Sequence, residues 1–447
     1  MYAKRILKYR KSAFRNLLRL AGFLVILSSC EKTNTYNNPR PPVIQSVSPE
    51  SAAAGSTVYI YGENFSPRIS DNSVMIGSAA VTLYSCDSTT LVILIPEGLE
   101  SGPVKVTVNG VTTTGPDFTY IPTVTAFNYA GSGLVGLQDG TLPDARFNLP
   151  RALAEDADGN IYVADQLNHA IRKIDAGGQV STFAGNGNPG VKDGNGQNAE
   201  FKQPDALIVG GDGNIYVADY TGNTIREISP GGEVTTIAGD SVAGYVDGPG
   251  SSARFNGPTG LAMDSQGNLF VSEFFNNVIR KITPAYQVST YAGTGAIGAD
   301  DNTRLQATFY GPLTLAMDKD GNLLIGDWLN FRIRKIDVEG NVSTLAGSTK
   351  GYLDGPALEA QFNTPAGLAF DAHDNLYVSD AFNNRIRMID AEGYVSTFAG
   401  STDADYVNGS PENARFNTPA GLVFDTAAST LYVADWYNYR VRKITIR

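Results

Sequence analysis

The segment Asn160–Asp165, NIYVAD, returns five more times in this chain, and its spacing limits the fold more than any other feature. The counterparts end at Asp219, Glu273, Asp327, Asp380 and Asp435, at intervals of 54, 54, 54, 53 and 55 residues. Each copy continues through an Asn-rich turn into Ile-Arg-x-Ile, except that Val441 opens the last. A strand ending in Ala-Gly follows, as in Val180–Gly185, and a long loop then leads to Phe-x-x-Pro and a strand such as Gly367–Asp371. Each repeat therefore holds four short strands that are apolar enough to be covered on both faces. One repeat cannot cover both of its own faces, so the copies must stack on one another. Six such units stacked in a ring predict a six-bladed β-propeller over residues 123–447.

Ring closure is legible as well. The sixth repeat stops at Ile444-Thr445-Ile446-Arg447 and lacks its Ala-Gly strand, whereas Val124–Gly131 (VTAFNYAG) supplies that strand at the other end. Pairing the two removes the free edges that an open array would expose. The run G-N-L-Y-V-A-D followed by N-x-x-I-R-K-I resembles the NHL repeat over the whole of residues 123–447. The departures are Gly326 in the fourth copy and Glu273 in place of Asp in the third.

Upstream, residues 42–122 carry about seven short alternating strands, including Val43–Val47, Thr57–Tyr61, Val74–Ile76, Ala80–Leu83, Leu91–Ile95, Val104–Val108 and Phe118–Tyr120. That density of strands predicts an immunoglobulin-like sandwich. The segments Ile44–Gly55, Val58–Phe65, Ile95-Pro96 and Phe118–Tyr120 resemble the IPT/TIG family, with Ser48-Pro49 and the Gly62-x-Asn64-Phe65 turn as the most specific pieces. The resemblance implies a spacer or interaction module.

The first 29 residues are of another kind. Seven bases and no acid precede the apolar run Leu20–Leu27, which is too short to span a bilayer and has the order of a secretory signal. Leu27-Ser28-Ser29-Cys30 resembles a bacterial lipobox, which implies acylation of Cys30 as the new N-terminus and stable membrane anchoring through lipid alone. Residues 30–41 are polar and rich in Pro and Asn, as in a tether. Removing the seven bases from the 34 in the chain leaves 27 against 45 acids, a net charge of −18. That balance repels phosphate backbones and argues against nucleic-acid binding. With only Cys30 and Cys86 there is no disulfide framework.

Residues common to all six copies mark six equivalent places, so they read as scaffold. These are the acids closing the second strand and the arginines seven residues later: Arg172, Arg226, Arg280, Arg334, Arg387 and Arg442. Function belongs where the copies differ. The residue after each acid reads Gln166, Tyr220, Phe274, Trp328, Ala381 and Trp436, and the next includes Phe275, Phe382 and Tyr437. Tyr245, Tyr352 and Tyr406 add rings from the long loops of the same face. Aromatic faces at a concave mouth suit the apolar faces of sugars, with polar neighbours for the hydroxyls. The alternative is that these rings pack against the long loops and stabilise the rim.

The positions at the channel mouth are Arg151, Asp205, Thr259, Leu313, Ala366 and Ala420, of which only the first two are charged. Some propellers resembling this one are channel-metal lyases or lactonases. Here His169 and His373 fall on opposite faces and no nucleophile motif is present, so no catalytic residue, metal site or cofactor is expected. Channel calcium on Asp205 and carbonyls is the one ion left open. The expected protein is a lipid-anchored outer-membrane protein, facing either inward or out to the cell surface, whose propeller binds a glycan or another macromolecule. A surface protein as partner is the first alternative and a channel enzyme the second.

Overall fold

The computed structural model describes residues 40–447; Cys30, the signal and most of the tether lie outside the described residues. The described residues fall into two compact units, one up to Thr123 together with Arg447 and the other Val124–Ile446.

The first unit is a two-sheet sandwich. One sheet takes Val43–Ser48, Thr57–Glu63, Thr90–Leu94 and Leu83–Cys86 in that order. The other takes Ser51–Ala52, Val111–Tyr120, Gly102–Val108, Asn72–Ile76 and Ala79–Val81. The alternation in Thr57–Glu63 places Val58, Ile60 and Gly62 inward, and Val58, Ile60, Phe65, Ile93 and Phe118 form the centre of the core. Hydrophobic alternation predicts a single strand over Ala80–Leu83. The chain instead switches sheets at Thr82, with Ala79–Val81 pairing Asn72–Ile76 and Leu83–Cys86 pairing Thr90–Leu94. Corner-turning of this kind leaves no trace in hydrophobic alternation. Cys86 is half-buried at the end of its strand, and burial raises its thiol pKa.

The second unit is the propeller. Each blade runs outward from an inner strand at the channel, as in Pro150–Glu155, Ile161–Asp165, Ala170–Ile174 and Gln179–Ala184 for blade one. Blades two to five repeat this from inner strands Pro204–Val209, Pro258–Met263, Pro312–Met317 and Pro365–Phe370. Blade six takes Pro419–Asp425, Thr430–Asp435 and Arg440–Ile446 from the C-terminal end and Val124–Ala130 as its outer strand. Val124 pairs with Ile446 and Ala126 with Ile444, so the ring is closed as the truncated sixth repeat requires.

Six copies of one buried unit hold the long loops. Arg172 is fully buried and donates to Asp165 (2.9 Å), to the Arg146 and Gln138 carbonyls, and to Asp139 (2.7 Å) in the long loop. Its guanidinium lies over the Phe147 ring at 5.3 Å, and Asp165 in turn accepts from the Asn148 backbone N–H at 2.7 Å. The same arginine–loop-acid pair recurs as Arg226–Asp193, Arg280–Asp247, Arg334–Asp301 and Arg387–Asp354, with Asn408 replacing the acid beside Arg442. A buried guanidinium needs this many acceptors to offset desolvation.

The unit also explains the Asn-rich turn, because the Asn three residues after the acid donates to it, as Asn168 does to Asp165 at 2.7 Å. Blade two has Gly222 there, and its arginine sits 3.9 Å from Asp219 rather than in hydrogen-bond contact. Asp219 instead accepts from the backbone N–H groups of Lys202 and Gln203.

Candidate functional site

The six residues that follow the acids stand on the turns joining second and third strands. Their side chains lean toward the next blade. Gln166 of blade one donates to Asp205 of blade two at 2.6 Å, and Trp436 of blade six meets Arg151 of blade one. Phe274 of blade three packs on Trp328, with ring centroids 5.4 Å apart. One turn direction repeated around the ring thus brings these positions to the channel mouth.

Ring contacts join half of the expected aromatic residues into an arc over blades two to five. Tyr220 stacks with Phe275 at 6.0 Å, Phe275 meets Phe274 edge-on at 5.1 Å, and Trp328 meets Phe382 at 6.1 Å. Trp436 and Tyr437 form a separate pair at 4.7 Å. Phe275, Phe382 and Tyr437 remain exposed, whereas Trp328 covers Leu313, Ala366 and Ala381. Both indole Nε1 atoms are buried without a hydrogen-bond partner among the described residues. Buried Trp N–H groups ordinarily find acceptors, so a merely structural apolar rim would be cheaper with phenylalanine at both positions.

Tyr245, Tyr352 and Tyr406 are not part of this arc. Tyr245 and Tyr352 bond Thr290 and Thr397 at 2.7 Å and cover the Arg280 and Arg387 guanidinium groups. Tyr406 lies 4.0 Å from the Arg440 guanidinium and 4.8 Å from that of Arg442. These rings roof the buried arginines and help to hold the loops. The arc itself is therefore not needed for loop anchoring, which the arginine, loop-acid and phenylalanine sets accomplish in five blades and Arg442, Asn408 and Phe416 in the sixth.

Arg151 and Asp205 meet at the mouth, as adjacent-blade positions in one ring should. Arg151 Nε donates to Asp205 Oδ1 at 3.2 Å, both side chains are buried, and the guanidinium lies 4.8 Å from the Trp436 ring centroid. Burial raises the Asp205 pKa, and Arg151 opposes that rise. Tyr220 stands close by: its phenol is shifted up chiefly by burial and next by the Asp205 charge, with Arg151 acting the other way. Calcium does not fit Asp205, because one of its oxygens is already held by a cation and an amide and the pair carries no net charge. Among the described residues, no three His, Cys, Asp or Glu side chains converge as metal ligands. His169 Nδ1 contacts the Lys202 carbonyl at 2.6 Å, and His373 lies in the Asp371 turn, away from it.

Below the mouth the inner strands enclose a channel cavity of about 330 Å³ whose lining residues are mainly aliphatic. Its far end holds a residue outside the site expected from sequence. Glu155 occupies the place filled by Val209, Met263, Met317, Phe370 and Phe424 in the other blades. Burial raises its carboxyl to about 7, aided by the Asp425 and Asp156 charges and opposed by Lys443. Comparing inner-strand ends across the repeats would have found it, since it is the single ionisable residue in an apolar ring.

A closed six-bladed β-propeller with an unsymmetrical aromatic and polar mouth, following an immunoglobulin-like sandwich, is the class that this geometry defines. Its repeats are similar in sequence to those of NHL repeat-containing proteins. Residues 42–120 match the IPT/TIG domain family. The chain is similar to NHL repeat-containing protein 2 of Gallus gallus, 28% identical over an alignment of 353 positions that covers 70% of this chain and 48% of that protein. It spans about half or less of the length of the curated relatives it matches.

Among solved structures it is similar to a structural genomics protein of unknown function from Bacteroides thetaiotaomicron. That likeness has a TM-score of 0.63 and 23% identity, covering 93% of this chain and 100% of the other. An auxiliary nutrient binding protein from the same organism gives a TM-score of 0.58 and 19% identity, covering 91% and 98%. Likeness at these identities shows the fold.

Proposed function

We propose that the propeller is the binding head of a lipid-anchored outer-membrane protein, that its mouth holds a glycan, and that the IPT/TIG domain is a spacer. The carrying observation is the arc from Tyr220 through Phe275, Phe274 and Trp328 to Phe382, which continues across four blades although the loops are anchored elsewhere. Aromatic faces of this kind stack on the apolar faces of sugar rings, and the neighbouring Arg151, Asp205 and Gln166 supply polar groups for hydroxyls. Auxiliary nutrient binding is named for one of the structures sharing the fold, which is compatible with this reading. Binding rather than catalysis suits the mouth, because its charged groups are one mutually neutralised pair.

Two tryptophans stand in or beside the arc and are the only ones in the chain, so intrinsic fluorescence reports on the site directly. Addition of a recognised oligosaccharide should shift or quench the emission, and Trp328→Ala should weaken binding. Silence across a broad oligosaccharide panel, confirmed by calorimetry, would refute the glycan assignment. For the anchor, Cys30→Ser should move the protein from the membrane fraction to the soluble fraction and abolish labelling by radioactive palmitate.

A further inference from the structure

We infer that the mouth recognises a neutral sugar through a vicinal diol, with Arg151 donating to the pair of hydroxyls and Asp205 accepting from it. This rests on the glycan-binding reading above and specifies the ligand's chemistry. Two buried charged side chains, Arg151 and Asp205, break the symmetry of their ring. The same ring position is Thr259, Leu313, Ala366 or Ala420 in the other blades, so neither charge is a requirement of the fold.

Their bonding is incomplete on one side. Asp205 Oδ1 accepts from both Arg151 Nε and Gln166 Nε2, while Asp205 Oδ2 and the two terminal nitrogens of Arg151 have no hydrogen-bond partner among the described residues. Trp436 fixes the guanidinium plane from above at 4.8 Å, and Gln166 fixes the carboxylate at 2.6 Å. Two donors and one acceptor are thus left in place beside a hydrophobic arc that begins at Tyr220. A pyranose has the matching pattern, with adjacent hydroxyls that donate and accept along one edge and C–H groups on its faces.

Charge selects against the acidic alternative. An isolated buried arginine would be a receptor for a uronate or sialate carboxylate, but Arg151 is already balanced by Asp205 at 3.2 Å. A second carboxylate at the guanidinium would approach Asp205 Oδ2, and two like charges at that range repel in a poorly solvated site. The whole chain adds to this bias, with 45 acids against 34 bases before any signal is removed. A neutral diol needs no such compensation.

The test uses the full chain in detergent, titrated with neutral gluco-, manno-, galacto- and xylo-oligosaccharides and with oligouronates. Binding is read by tryptophan fluorescence and by calorimetry. Neutral oligosaccharides should bind, and Arg151→Met and Asp205→Asn should each weaken them at least tenfold. The double variant Arg151→Ala/Asp205→Ala restores the small apolar residues of blades five and six, so it should fold with unaltered melting and lose binding. O-methylation of one hydroxyl of the recognised diol should cost a similar factor.

Preference for oligouronates, or full retention of neutral-sugar affinity in the folded double variant, would overturn the inference while leaving a glycan-binding head. Failure of every oligosaccharide would overturn both readings.

Discussion

Glu155 gives the sharpest test of how the blades are packed. It alone is ionisable in a ring otherwise made of Val209, Met263, Met317, Phe370 and Phe424, so Glu155→Met installs the side chain already used by blades three and four. Folding raises its pKa from 4.5 to about 7, which means that the folded state favours the neutral acid. The unfolded chain then holds fewer protons between those two values, and stability falls as pH rises through the window. The full shift corresponds to about 3 kcal/mol at roughly 1.4 kcal/mol per unit, and partial exposure to channel water reduces this to about 1–2 kcal/mol. The Glu155 contribution to stability should therefore drop by that amount from pH 5 to pH 8, flattening above pH 7, beside the contributions of the other raised carboxylates such as Asp165 and Asp327.

Glu155→Met should remove this contribution alone, making the variant more stable than wild type by about 1–2 kcal/mol at pH 8 and nearly equal to it at pH 4.5. Urea unfolding of the propeller, followed at a series of pH values, measures both. A difference between the two proteins that does not change with pH would refute the reasoning, as would a variant less stable than wild type at pH 8.

Other positions test the scaffold. Arg334→Leu leaves Asp327 buried without its cation and frees the Asp301 loop, so it should cost about 3–5 kcal/mol and show as loss of soluble protein or a large fall in the unfolding midpoint. Phe331 has φ 59°, where the equivalent Asn223, Asn277 and Asn384 each accept from a backbone N–H of the next blade. Phe331→Asn should consequently stabilise by about 1 kcal/mol in the same urea assay, and no gain would show that the Phe331 ring itself contributes packing there. Ala126→Pro removes the N–H that bonds the Gly409 carbonyl at 2.8 Å in the closing strand. It should destabilise by about 3 kcal/mol and open the region between residues 124 and 130 to proteolysis.

The repeat alone determined the number of blades, the strand order and the closing strand. An interval near 54 residues with apolar segments covered on both faces admits few alternatives, and the displaced Val124–Gly131 strand leaves one way to close the ring. It also separated scaffold from variation, because six identical copies of an acid and an arginine cannot specify a single site. Hydrophobic periodicity could not show the sheet switch at Thr82, which depends on how two sheets meet at a corner.

Nor could spacing show which aromatic residues share a surface. Tyr245, Tyr352 and Tyr406 lie on the long-loop face, yet each is committed to arginines, while Tyr220, Phe274, Phe275, Trp328 and Phe382 touch across blade boundaries. That distinction arises from the direction in which each turn projects its side chain onto the next blade. The pairing of Arg151 with Asp205, 54 residues apart, was suggested by their places in the ring. Tertiary structure decided which of their atoms are used and which remain for a ligand, because hydrogen-bond geometry exists only once the blades are packed.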